Sequence, residues 1–507
     1  MWIRRFVSTA CAALFIGSLA YQAWAAAPAK VAAPAATSGH STLPPRQLGQ
    51  TKGVDPYDQY YGVYVSGNKV GWMRSRLRLL PQPVLSTELH AKVSGMGKVS
   101  NIDLSEERVY VAQTDLGSGS LESLRFTQQA TTGRVTVQGR RLPNGQMELA
   151  IEAGGETRKQ SLEVNERLAD ALASADLTRA GKVGATFSAV HLDPSLQKLV
   201  RIEYRVVSLQ RRNLAGVDTK AVKIASTYPD LGVSEVAWLD GTGKVLESQV
   251  GGFFVARLEP PDVAKRLDYA QDLLVSAVVR APRVLMSPAN IGRLSLRLSG
   301  FGAMTPPASS RQAVHRDGDL VQVVLVKDAL PGRSSLLQSP NEATPAVAEA
   351  LRPTPFIQSD SPELIRVARA AIGKTQDAFT AATRLSRFVY KYVHSEYVPA
   401  YSNALEVYHS ARGDCTEYSV LFVALARAVG LPARVAVGIA YWPPGDGFGW
   451  HAWGEVYIEG RWIAVDPTWN QPIADATHLK LAGDGPAEQA QIVMLLGKLK
   501  IVDMQAK

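Results

Sequence analysis

Three residue types in the last third of the chain could cooperate in acyl transfer: Cys415, His451 and Asp466. A thiol near its free pKa is only a few per cent ionised at neutral pH and needs a base beside it. An imidazole can take the thiol proton and later return it to a leaving amine. A carboxylate can fix the imidazole tautomer and stabilise its charge. The chain has two cysteines, Cys11 and Cys415. Cys11 falls in a segment that reads as an export signal, so the expected mature chain keeps Cys415 as a lone thiol. In an oxidising compartment such a thiol is either buried and inert or kept for its reactivity.

The elements around these residues are readable from local pattern. Gly413-Asp414-Cys415 precedes Thr416 to Ala428, a run of helical composition that stops at Gly430 and Pro432. Cys415 is thereby expected in the first turn of a buried helix, where the macrodipole and free amides favour a thiolate and can stabilise an oxyanion. Ala433–Tyr441 reads as a strand, 442–447 as a loop and His451–Ile458 as a second strand. After a Glu459-Gly460 turn, the run from Arg461 reads as a third strand ending at Asp466, with Pro467-Thr468-Trp469 following. Two antiparallel neighbours joined by a tight turn place His451 and Asp466 side by side. Glu417, Tyr418, Trp450, Trp453 and Glu455 are expected to be packing or structural residues, and Asp446 a solvated loop residue.

Gly-Asp-Cys at a helix start, His451-Ala452-Trp453-Gly454-Glu455-Val456-Tyr457 and Gly460-Arg461-Trp462-Ile463-Ala464-Val465-Asp466-Pro467-Thr468 resemble the three core motifs of the bacterial transglutaminase-like superfamily. The resemblance covers about a quarter of the chain and implies an α+β, papain-like core. It implies Cys415 as nucleophile, His451 as general base and acid, and Asp466 as the orienting carboxylate. Animal transglutaminases place a tryptophan upstream of the nucleophile to assist the oxyanion. Here no tryptophan lies between Trp238 and Cys415, so a second donor must come from elsewhere, with Asn403, Tyr397 and His409 candidates by position. The expected activity is attack on a peptide or protein amide through a Cys415 thioester, with hydrolysis favoured over transfer to an amine. A non-catalytic binding or assembly module that keeps the fold is the competing reading.

The rest of the chain sets the context. Arg4 and Arg5, an apolar run from Phe6 to about Ala20 and Ala23-Trp24-Ala25 read as a signal peptide over 1–25, which implies a periplasmic or secreted protein. Residues 26–54 are rich in Ala, Pro, Ser and Thr and read as a flexible linker. Residues 55–330 read as a β-rich accessory region preceding the core. Hairpins are expected at Tyr61–Trp72 and Ala237–Leu246, strands at 134–137 and 294–298, and a helix from Asp262 to about Val279. Its His90, His191 and His315 are isolated and read as surface or satisfied core residues. A second, proline-bearing linker is expected over 331–359, and the catalytic domain over 360–507, opening with a helix start at Ser361-Pro362-Glu363 and one or two helices to about Tyr392. The formal net charge of +9, about +7 without Arg4 and Arg5, is dispersed, which argues against nucleic acid as a partner. No metal-ligand spacing, phosphate loop or nucleotide fingerprint is present, so no cofactor or metal is expected, and no segment beyond the export signal is apolar enough to anchor a membrane. A substrate in the cell envelope is the expected partner.

Overall fold

The structure, a computed structural model, describes residues 56–507 apart from 66, 96–97, 114–117, 131–132, 154–155, 215–216, 232, 251–253, 268–270, 273–277, 337–344, 355, 397–402 and 483–491. The expected signal peptide and first linker lie outside the described residues. The chain divides into two compact units that meet in sequence between Gln271 and Asp272.

The first unit is one long antiparallel sheet made of two meanders. One runs through β1 (Tyr57–Val65), β2 (Asn68–Arg78), β3 (Val84–Gly95), β4 (Lys98–Tyr110), β5 (Leu121–Ala130), β6 (Gly133–Arg141), β7 (Gln146–Ala153) and β8 (Glu156–Glu163). After α1 (Leu168–Ala180), the other runs through β9 (Thr186–Asp193), β10 (Lys198–Leu214), β11 (Val217–Tyr228), β12 (Val233–Leu239), β13 (Val245–Val250) and β14 (Phe254–Glu259). The meanders join where β14 pairs with β1. Period-two patterning drives this: on β2, Met73, Ser75 and Leu77 are buried while Arg74, Arg76 and Arg78 face outward. Both expected hairpins are present, with Val65 opposite Asn68 and Leu239 opposite Val245. The helix expected from Asp262 to about Val279 is instead a short α2, Pro261–Lys265, because Arg266 is already extended. His191 is buried beside Glu166, 3.7 Å away.

The second unit begins well before the expected boundary. β15 (Val279–Arg280) joins the sheet that carries His451, and β16 (Arg293–Ser299), β17 (Gln312–Asp317) and β18 (Leu320–Val326) form a sheet that is completed by the chain's last strand. That strand, Lys500–Ala506, pairs along β16 from Leu294 opposite Ala506 to Ser299 opposite Lys500. Strands read as accessory are therefore part of this unit's core: Leu294, Leu296, Leu298, Val321, Val323 and Leu325 are buried in one cluster with Phe422 and Val423. The proline-bearing stretch is not a free linker where it is described. Leu336, Phe356 and Ile357 are buried in that cluster, and Ala350 O accepts the Ala433 amide.

The pair of helices after Ser361 is present as α3 (Pro362–Ile372) and α4 (Ala378–Tyr392), followed by α5 (Ala404–Ser410) and α6 (Cys415–Ala428). Every residue of α6 from Thr416 to Ala426 is buried. A helix apolar on all sides belongs in the middle of a domain, and α6 packs against α3, α4 and α5 on one side and the sheet that carries His451 on the other. That sheet comprises β15, β19 (Ala433–Trp442), β20 (Gly447–Ile458), β21 (Arg461–Val465) and β22 (Leu479–Ala482). The terminal strand is β23 (Lys500–Ala506). Among the described residues, no helix is long and apolar enough to cross a membrane.

Candidate active site

The start of α6 is fixed by a reciprocal cap. Asp414 accepts the Thr416 amide at 2.9 Å, and Glu417 accepts the Asp414 amide at 3.0 Å. The box leaves the Cys415 amide outside it. Gly413 is required there, since a Cβ at this position would lie 2.1 Å from Glu417 Cβ.

The strand that faces Cys415 is β20, and its pairing explains why an amide is available to the thiol. One edge of β20 is paired with β19 from Gly447 to Val456. The other edge is shared by two short partners: β15 covers Gly447–Phe448, and β21 covers Gly454–Ile458. The five residues 449–453, which include His451 and Ala452, lie between them. Among the described residues no strand pairs with this stretch on that edge, and the Ala452 amide is directed at the Cys415 sulfur. The thiol thus sits beside the segment that carries His451. Close approach of helix and strand depends on Gly454, where a Cβ would meet the Phe422 ring at 2.5 Å.

His451 Nε2 lies 2.9 Å from Asp466 Oδ2, as expected from the two-strand pairing. Asp466 is fully buried at the end of β21, and its other oxygen accepts the Thr468 and Trp469 amides at 2.7 and 3.2 Å. Burial opposes ionisation of Asp466, but the His451 and His478 imidazoles outweigh it and hold the carboxyl well below its usual range. The His451 Nε2–H is thereby committed to Asp466, leaving Nδ1 as the nitrogen able to take a proton from the thiol.

The thiol itself differs from the expectation of a helix-start thiolate. Burial pushes the Cys415 thiol well up, the charges of Asp414, Glu417 and Asp466 push it further, and only the Ala452 amide opposes them. Burial and the neighbouring carboxylates favour the neutral thiol at Cys415.

Of the oxyanion candidates, Asn403 caps α5 by accepting the Glu406 amide at 2.9 Å, and His409 is exposed and paired with Glu363 at 3.0 Å. Neither is brought to Cys415 by any of these bonds, and Tyr397 lies outside the described residues. Glu455 is structural as expected: it pairs with Arg434 and Lys480, each at 2.7 Å. Tyr418 donates to Val393 O, a packing role, and Trp453 is buried. Asp446 is exposed in its loop.

Sequence reasoning missed two groups. Trp469 stacks on His451, with ring centroids 4.2 Å apart and planes 11° apart. His478, fully enclosed, places Nε2 at 3.1 Å from the same Asp466 oxygen that His451 uses. A lone histidine twelve residues beyond Asp466 has no motif to mark it; only the return of β22 alongside β19 brings it in. His451, Asp466 and His478 offer ligand atoms within 4.8 Å of one another, a donor set that resembles a metal site. Both Nε2 atoms are hydrogen-bonded to one carboxylate oxygen and so carry protons, which leaves them no lone pair for an ion.

Residues 365–467 match the family model described as the Transglutaminase-like superfamily. The kyphoscoliosis peptidase of Mus musculus is 30% identical over 86 residues, which are 15% of this chain and 12% of that protein. The chain therefore spans about one eighth of that curated relative's length. A crystal structure from Cytophaga hutchinsonii, assigned by inference as a cysteine protease, shares 18% identity, covering 43% of this chain and 90% of that one with a TM-score of 0.28. The periplasmic domain of TgpA from Pseudomonas aeruginosa, bound to ethylmercury, shares 16% identity over 40% of this chain and 88% of that one, with a TM-score of 0.24. With its Cys, His and Asp motifs inside the matched span, the chain carries a cysteine-dependent domain of the transglutaminase-like superfamily behind a β-rich N-terminal region.

Proposed function

We propose that the protein is a periplasmic or secreted amide hydrolase that cleaves peptide or protein amides in the cell envelope through a Cys415 thioester. The observation that carries this reading is a thiol under the amide of Ala452, the chain neighbour of a histidine held through Nε2 on a buried carboxylate.

His451 Nδ1 takes the Cys415 proton as the sulfur attacks the amide carbonyl. The Cys415 amide, left out of the α6 cap, is positioned by sequence to donate to the developing oxyanion. Collapse breaks the C–N bond, and His451 returns its proton to the leaving amine. Water then attacks the thioester with His451 again as base, which releases a carboxylic acid and restores the thiol. Asp466 keeps the imidazole in the required tautomer throughout.

Incubation of the purified protein with an envelope extract and a labelled primary amine, beside Cys415→Ala, tests the reading. New peptide termini that depend on Cys415 support hydrolysis. Amine incorporation selects acyl transfer instead, and identical products from both proteins select a binding module.

A further inference from the structure

The second imidazole on Asp466 has an unusual set of neighbours. His478 Nε2 faces Asp466 Oδ2 at 3.1 Å, and Nδ1 faces Asp475 Oδ1 at 3.2 Å and the Asp475 carbonyl at 3.3 Å. All three are acceptors once the carboxylates are ionised. A neutral imidazole has one N–H and would turn a lone pair on one of them, so both nitrogens must be protonated.

The carboxylates are themselves saturated as anions. Asp466 Oδ1 accepts two amides. Asp475 Oδ1 accepts the Thr477 amide and hydroxyl at 2.8 and 2.6 Å, and Oδ2 accepts Gln471 Nε2 at 2.8 Å. Trp453 and Trp469 close edge-on around the ring, at 5.2 and 5.4 Å. The titratable groups facing this cluster are Cys415 from α6, His451 from β20 and Asp475 from the segment before β22. Lys480, two residues along β22, is given to Glu455.

We propose that His478 is a positioning residue: a buried imidazolium that clamps Asp466 against Asp475 and, by offsetting the Asp466 charge, sets the basicity of His451. The inference rests on the reading of His451 as the base. With a cation on the shared oxygen, Asp466 orients His451 without holding a proton on it, so His451 is free to accept one from Cys415. The two rings are 5.6 Å apart between centroids, close enough for a lost unit charge to move a titration by about one pH unit or more.

The test is a histidine NMR titration of the full chain carrying ¹³Cε1-labelled histidine, with parallel rates of Cys415 alkylation by iodoacetamide. In the wild type, the His478 signal is expected to stay at the imidazolium position beyond the pH at which an exposed histidine loses its proton. In His478→Gln, which keeps an amide donor and loses the charge, the His451 midpoint is expected to rise by about one unit. Asp475→Asn is the second variant should His478→Gln fail to fold: removing one of the two anions should lower the His478 midpoint. A His478 signal that is neutral at pH 7 in the wild type overturns the proposal. So does an unchanged His451 midpoint in folded His478→Gln, which would leave a structural role alone. Alkylation separates the two readings: if His451→Ala leaves the wild-type rate profile unaltered, the base assignment fails, whatever His478 does.

Discussion

Each unit of this chain buries an acid in a closed network, and the networks differ in what they leave over. In the N-terminal unit Glu166 takes two bonds from Arg108 Nη1 at 2.9 and 2.8 Å, one from Tyr110 at 2.8 Å and one from the Leu192 amide at 3.0 Å. Arg108 also binds Glu106 and the Leu192 carbonyl. In the C-terminal unit Asp466 is saturated in the same way by two imidazoles and two amides. The contrast lies in the donors: a guanidinium cannot give up its proton, whereas His451 can exchange one through a second nitrogen. The Arg108 cluster, with His191 Nδ1 3.7 Å from Glu166, is centred on a guanidinium that keeps its proton, while both side-chain donors to Asp466 are imidazoles.

If that contrast is right, substitutions in the two clusters should separate activity from stability. Cys415→Ala is expected to abolish turnover, a loss of about 10⁴-fold or more, with little change in the unfolding midpoint. His451→Ala and Asp466→Asn should each cost about 10²- to 10⁴-fold, with His451→Ala also slowing alkylation of Cys415. Measured kcat/KM beside denaturant melts checks all three; parallel losses of stability and activity would erase the distinction.

Arg108→Met should do the reverse. Leaving Glu106 and Glu166 buried without their cation is expected to cost about 3–5 kcal/mol of stability in the N-terminal unit. The Cys415 alkylation rate of the folded fraction should stay as in the wild type. A urea titration followed by near-ultraviolet circular dichroism reads the first quantity and mass spectrometry the second.

The acids of the catalytic sheet also make a pH-dependent contribution. Burial disfavours the Glu455 charge, but Lys480 and Arg434 outweigh it and hold the carboxyl down from 4.5 to about 2. A depressed folded-state pKa stabilises the fold above the unfolded value and loses that contribution as pH falls. The window is therefore about pH 4.5 down to about 2, and the contribution lost is about 3 kcal/mol. Unfolding free energies measured at pH 7, 5 and 3 should fall most across the last interval, and Glu455→Gln should flatten that slope.

How much of this was legible in sequence follows from how local each cause is. The turn at Glu459 and Gly460, both with positive φ, aligns β20 with β21 across a few residues, so the His451–Asp466 pair could be read directly. The α6 start was equally local, fixed by Asp414 and Glu417. What escaped depends on distant pairing. β23 returns to β16, which moved the boundary of the second unit back to Asp272. β22 returns to β19 and delivers His478. The thiol's state also escaped, because a helix dipole was weighed without the burial of the sulfur and the carboxylates near it.

The smallest expected effect falls on Trp469, whose ring stacks on His451 and whose backbone amide donates to Asp466. Its ring covers one face of the His451 imidazole, and its removal is expected to admit water to the His451–Asp466 contact. Water admitted to that contact would weaken the bond that sets the tautomer. Trp469→Ala should lower kcat by about tenfold, equivalent to about 1.4 kcal/mol, with KM little changed. Trp469→Phe should recover most of the loss, because a phenyl ring can still cover the imidazole. Arg108 offers no counterpart, because its guanidinium is held by Glu106, Glu166 and the Leu192 carbonyl and has no tautomer to change. A loss in Trp469→Ala that appears in KM alone would assign the ring to substrate contact instead of to His451.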